Sequence, residues 1–208
     1  MKSLATNFGR IAVKTPPAPP GIRIGVMGGS FNPPHIGHVT VAKTAVRRLR
    51  LNTVWWLVTP GNPLKPKDGL PSQADRMAKA EALCQDNRMV MASFEETLNS
   101  PFTAETLAFL KRRHGGAQFV WVMGADNLAS FHRWQNWRDI AQAMPFAVVD
   151  RPGWRFPALS SPAARALARY RVPEARAPLV PGHRAPCWTF LSTRLCPLSS
   201  TELRRDTG

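Results

Sequence analysis

The chain has 208 residues with 44% apolar and 20% charged side chains, which supports a packed core and excludes a disulfide-stapled miniprotein or a wholly disordered chain. Its 28 Lys and Arg against 13 Asp and Glu give a formal charge of +15, predicting polyanionic partners such as nucleotides, nucleic acid or anionic lipid without choosing among them. The longest apolar runs, Val54 to Val58 and Phe119 to Met123, fall far short of the roughly 20 residues of a bilayer span.

Residues 1–15 carry Lys2, Arg10 and Lys14 without the hydrophobic stretch and cleavage pattern of a secretory signal. Thr15 to Gly21 reads TPPAPPG, a stiff stretch that cannot continue a helix. Residues 1–21 are therefore expected to be a flexible segment and proline-rich linker, with a single domain over 22–208. Ile22 to Met27 is a β-branched run ending in glycines, and residues 36–50 set Val39, Ala42, Val46 and Leu49 at helical spacing. Thr53 to Thr59 is apolar at nearly every position, the mark of a strand buried on both faces. Ser72 opens a helix, with Asp75 as a capping partner and Met77, Ala80 and Cys84 on one side.

Met89 to Ala92 reads as a third strand, Thr103 caps a helix running to Arg113, and Phe119 to Met123 and Phe146 to Asp150 supply two more strands. From Arg151 to Arg184 the only carboxylate is Glu174, and the pattern places one short helix near Pro162 to Tyr170. Cys187 to Leu191 returns as a last strand. Alternating strands and helices predict the α/β class, a Rossmann-like doubly wound parallel sheet with helices on both faces, with ligands outside the carboxyl ends of the strands. The three cysteines, Cys84, Cys187 and Cys196, include no CxxC pair, so neither a disulfide framework nor a zinc ribbon is expected and a reducing cytoplasmic location fits.

Chemistry concentrates after the first strand, in Gly28-Gly29-Ser30-Phe31-Asn32-Pro33-Pro34-His35-Ile36-Gly37-His38. The segment is neither a GxGxxG fingerprint nor a Walker loop. Its glycines permit close backbone approach, and its two histidines share a face where the free N–H groups of a helix start favour an anion. Taken alone, HxxH reads as capping or packing, or as half of a zinc site. No third ligand stands nearby, so no metal site is read here. No Asp or Glu precedes Asp68, so the first third of the chain is a cationic field suited to phosphate. Near the other end, Leu198-Ser199-Ser200-Thr201-Glu202-Leu203-Arg204 reads as a second helix start, with Arg204 on the same side as Thr201.

Together GGSFNPPHIGH and the terminal LSSTELR resemble the nucleotidyltransferase superfamily of adenylyltransferases, with its HxGH loop and (I/L)SSTxxR segment. Asn32 and His35 in FNPPHIGH, the SPFTAETL segment around Thr103 and GADNLASFHRW at 124–134 are similar to bacterial nicotinate-nucleotide adenylyltransferases, over about Arg23 to Arg204. The resemblance implies that ATP and nicotinate mononucleotide give nicotinate adenine dinucleotide and pyrophosphate, in NAD biosynthesis. The attacking group is the mononucleotide's own phosphate, so no covalent enzyme intermediate is needed.

By the same resemblance, His35, His38 and Arg204 are the catalytic groups, with His38 acting at the α-phosphorus. Gly29, Ser30, Phe31, Lys65, Gly124, Asp126, Ser199, Ser200 and Thr201 would bind ATP. Asn32, Thr103 and Trp134 would bind the mononucleotide. Asp126 taken alone reads as a helix cap, and Trp134 as core packing in a chain with seven tryptophans. Mg2+ is expected as an ion carried on substrate phosphates. ATP and nicotinate mononucleotide are the expected partners, with no membrane and no specific nucleic acid; a homo-oligomer is compatible with the pattern. Two rivals stay open: an adenylyltransferase using nicotinamide mononucleotide or phosphopantetheine as acceptor, and a basic RNA-binding module suggested by the charge.

Overall fold

A computed structural model describes residues 13–59, 70–94 and 103–193. The strands are β1 (Arg23–Gly29), β2 (Thr53–Val58), β3 (Met89–Ala92), β4 (Gln118–Gly124), β5 (Phe146–Val149) and β6 (Trp188–Leu191). Between them lie α1 (Ile36–Leu49), α2 (Gln73–Leu83), α3 (Thr103–Arg113), α4 (Ala125–Ser130), α5 (Trp137–Ala143), α6 (Arg155–Leu159) and α7 (Pro162–Ala166), with short 3-10 turns at Phe131–Arg133, Ala168–Tyr170 and Glu174–Gly182.

The strands form one sheet in the order β3-β2-β1-β4-β5-β6, every pair parallel. Chain order reverses between β1 and β4, which opens a crevice beyond their carboxyl ends. The continuous apolar reading of β2 is explained by alternation. Trp55 and Leu57 face a core shared with Trp121, Phe131, Phe146 and Trp188, whereas Val54, Trp56 and Val58 face one shared with Val39, Ala42, Val46 and Val122.

The Ser72 cap is realised, while Thr103 is itself the first residue of its helix. Ser72 Oγ accepts from the Asp75 N–H at 3.1 Å and donates to its carboxylate at 2.6 Å. Helix α1 ends where Arg50 turns left-handed at φ 54°, with Arg47 and Arg48 placed in the last turn, where the helix dipole favours cations. The buried side of α2, however, carries Arg76 beside Ala80, with Met77 only half-buried.

Two stretches differ from the sequence reading. Residues 13–21 lie against the domain: Val13 is buried, Thr15 shares a 2.8 Å hydrogen bond with His114, and the Gly21 N–H donates to the Gly116 carbonyl at 2.8 Å. Prolines hold this stretch extended along the surface up to β1. Residues 151–184 form two short helices and two 3-10 turns in place of one helix. Pro157, Pro178 and Pro181 interrupt regular hydrogen bonding there, so each element is only a turn or two long.

Candidate active site

The loop after β1 is shaped by close packing beneath it. A Cβ on Gly28 would sit 2.5 Å from Cη2 of Trp121, so this strand end passes β4 only without a side chain. Phe31 turns the chain at φ 44°, an unusual region for a residue with a bulky side chain, and its ring is buried. That ring stacks on Trp56 at 4.9 Å and meets His38 edge-on at 5.0 Å. Phe31 therefore supports His38 from below, and its side chain does not project into the crevice.

Helix α1 is capped by imidazoles. The Gly37 N–H donates to His35 Nδ1 at 3.1 Å, and the His35 N–H donates to His38 Nδ1 at 3.2 Å. Because both Nδ1 atoms accept, each neutral ring carries its proton on Nε2. The ring centroids are 3.8 Å apart. Two positive rings at that spacing would repel each other, and burial further disfavours charge. Desolvation first, then His35 and Arg151, push His38 down to about 3, so it is a neutral donor at physiological pH.

Across the crevice, β4 ends at Gly124, the N-cap of α4. Asp126 does not cap that helix; its Oδ2 accepts from Arg151 Nη1 at 3.1 Å, and its Oδ1 is buried with no hydrogen-bond partner among the described residues. A Cβ on Gly124 would lie 2.4 Å from that Oδ1 and 2.9 Å from Arg151 Cδ. Glycine is what lets the carboxylate fold back over the strand end. Arg151 thus joins the two sides, bonded to Asp126 and acting electrostatically on His38.

A cytidylyltransferase-like family model matches residues 26–206. A protein of Bradyrhizobium sp. (strain BTAi1) is 51% identical over 187 residues, 90% of this chain and 97% of its own, and one of Rhizobium meliloti is 50% identical over 181 residues, 87% and 96%. Both bear the name "Probable nicotinate-nucleotide adenylyltransferase". The chain belongs to the nicotinate-nucleotide adenylyltransferase family. The fold is also that of a Plasmodium falciparum nicotinic acid mononucleotide adenylyltransferase solved with APC, at TM-score 0.66 and 14% identity over 88% of this chain and 83% of the other.

In this family member the structure brings together Gly29, Ser30, Phe31, Asn32, His35 and His38 on the β1 side, and Gly124 and Asp126 on the β4 side. Thr103 begins α3, and Trp134 follows the 3-10 turn before α5. Trp134 is half-buried, edge-on to Phe131 at 5.6 Å, so one side of its indole belongs to the core. Lys65, Ser199, Ser200, Thr201 and Arg204 lie outside the described residues.

Beyond β6, Ser192 donates through its N–H and hydroxyl to Glu174, which pairs with Arg48 of α1, and Thr193 bonds Thr44 of α1 at 2.8 Å. A groove of about 310 Å³ between α3 and α5, lined by Glu105, Arg112, Asn136 and Asp139, contains none of these site residues.

Two arginines that contact these loops escaped the sequence reading. Arg151 follows the carboxyl end of β5, a position the sheet rule marks as functional. Arg76 had no local signal, since a lone arginine in a charged helix looks solvated.

Proposed function

We propose that the chain transfers the adenylyl group of ATP to nicotinate mononucleotide by direct in-line attack. An oxygen of the mononucleotide's 5′-phosphate bonds to the α-phosphorus, the bond from that phosphorus to the bridging oxygen breaks, and pyrophosphate leaves with the electron pair. The nucleophile is mostly dianionic at neutral pH, since its second pKa is about 6, so no protein base is required. The protein aligns two anions and stabilises the charge that develops between them.

The observation that carries this reading is the pair of acceptor Nδ1 atoms on His35 and His38, which commits both Nε2–H groups to donation at the start of α1. His38 donates to the α-phosphate and His35 to the phosphate chain, alongside the backbone of Gly29, Ser30 and Phe31. Arg151 adds positive charge from the β4 side, and Asp126 Oδ1 suits a ribose hydroxyl donor. Asn32, Thr103 and Trp134 receive the mononucleotide, with Trp134 offering a ring face to the pyridine. Lys65, Ser199, Ser200, Thr201 and Arg204 complete the triphosphate contacts.

The donors around the loop are imidazoles and amides, and the nearby Asp126 carboxylate is paired to Arg151. Mg2+ accordingly fits as an ion held by substrate phosphate oxygens and water, where it would screen phosphate charge. We place the reaction in the cytoplasm. Among the described residues, no helix is long and apolar enough to cross a membrane.

Pyrophosphate release from ATP, measured with nicotinate mononucleotide, nicotinamide mononucleotide or phosphopantetheine, tests the assignment. Turnover is expected to be fastest with the first. Preference for either other acceptor, or RNA binding with no turnover, refutes it.

A further inference from the structure

A buried arginine grips the histidine loop from behind. Arg76, at the end of the first turn of α2, is 2% exposed. Its Nε donates to the Pro71 carbonyl at 3.1 Å, and its Nη1 donates to the Ser30 carbonyl at 2.5 Å and the Thr59 carbonyl at 2.8 Å. Those carbonyls belong to three separate stretches: the loop after β1, the residue after β2, and the entry to α2. A guanidinium fork spans such a set, whereas the compact ammonium of lysine does not. Burying it is costly, and the hydrogen bonds offset that cost only while the three stretches stay in place.

The Ser30 bond has a consequence on the far side of the loop. The Ser30–Phe31 peptide is trans and planar, so drawing the Ser30 carbonyl toward α2 turns the Phe31 N–H the opposite way. A hydrogen bond from a cation also polarises that peptide and strengthens its N–H as a donor. The same peptide leads into Phe31 at φ 44°, a conformation that needs outside support, and Phe31 carries His38 on its ring.

We infer that Arg76 is a positioning residue of the adenylyl-transfer site, setting the Ser30–Phe31 peptide so that the Phe31 N–H donates to a phosphate oxygen of ATP. This rests on the reading of the loop as the triphosphate site. Arg76 itself touches no substrate.

Two measurements test it. In the unsubstituted chain, titration with inorganic triphosphate should move the Phe31 amide proton downfield and saturate; an unmoved amide overturns the assignment. In Arg76→Lys and Arg76→Met, kcat/KM for ATP should fall about 100-fold, the scale of a small misplacement at a reacting centre, with the lysine variant the less affected. The KM for nicotinate mononucleotide should stay at its original value. Folded variants with unchanged ATP kinetics, or with equal losses toward both substrates, overturn it.

If neither variant folds, the triphosphate titration still tests the Phe31 N–H contact on which the inference depends, and an unmoved amide overturns it. That titration needs no turnover, so a chain that makes no dinucleotide would refute the assigned reaction and leave the Arg76 inference separately readable.

Discussion

Gly124→Ala isolates the geometry of the β4 side. The residue sits at φ −78° and ψ 160°, a conformation alanine adopts without strain, so the backbone should not object. The added methyl would lie 2.4 Å from Asp126 Oδ1, where ordinary contact begins at 3.4 Å, so the carboxylate must retreat by about 1 Å. Oδ1 ends a flexible side chain, and the retreat is cheap for the fold. At most it loosens the part-exposed pair with Arg151, and pairs of that kind contribute roughly 0 to 1 kcal/mol. A displacement near 1 Å at a substrate-holding group can cost about 100-fold in rate.

The expected result is therefore a variant with a melting temperature near that of the parent and kcat/KM for ATP about 100-fold lower. Steady-state pyrophosphate release together with calorimetry would measure both. A folded Gly124→Ala protein with unchanged ATP kinetics would show that Asp126 and Arg151 do not serve the nucleotide.

Replacing His38 by Ala removes a donor at the α-phosphate and should lower kcat on the order of 100- to 1,000-fold while near-UV circular dichroism is preserved; near-parental turnover refutes its role. His38 should titrate near 3 in the free protein, and bound triphosphate, which favours the charged ring, should raise that value; an NMR titration that stays put on adding triphosphate contradicts the assignment. Because the folded ring resists a proton that the unfolded ring accepts near 6.5, the unfolded chain binds more protons between about pH 6.5 and 3. Stability should then fall on acidification through that window, and less so in His38→Gln; parallel stability-pH curves count against this. Trp134→Ala should raise the KM for nicotinate mononucleotide more than that for ATP, whereas lost stability with unchanged KM values would mark the indole as packing alone.

Much of the site was legible because it is local. The GGSFNPPHIGH segment fixes its own chemistry: glycines at a strand end, then two imidazoles one turn apart at a helix start, adjacent whatever the rest of the chain does. Strand runs such as TVWWLV and the Ser72 cap were likewise readable, since alternation and capping involve near neighbours. Residues 151–184 were not, because their prolines and short turns leave no periodicity long enough to detect.

The order of hydrophobic segments and the spacing of the loop residues determined a parallel α/β domain with a glycine-rich strand end leading into an imidazole-capped helix, since both follow from short-range sterics and side-chain burial. Three features waited for the assembled sheet: Asp126 turning from a possible helix cap into a partner of Arg151, Phe31 burying its ring against Trp56 of β2, and Arg76 reaching from α2 to the Ser30 carbonyl. Each joins residues from different elements. Their meeting depends on strand order and crossover packing, which place side chains far apart in the chain against one another at the crevice between β1 and β4.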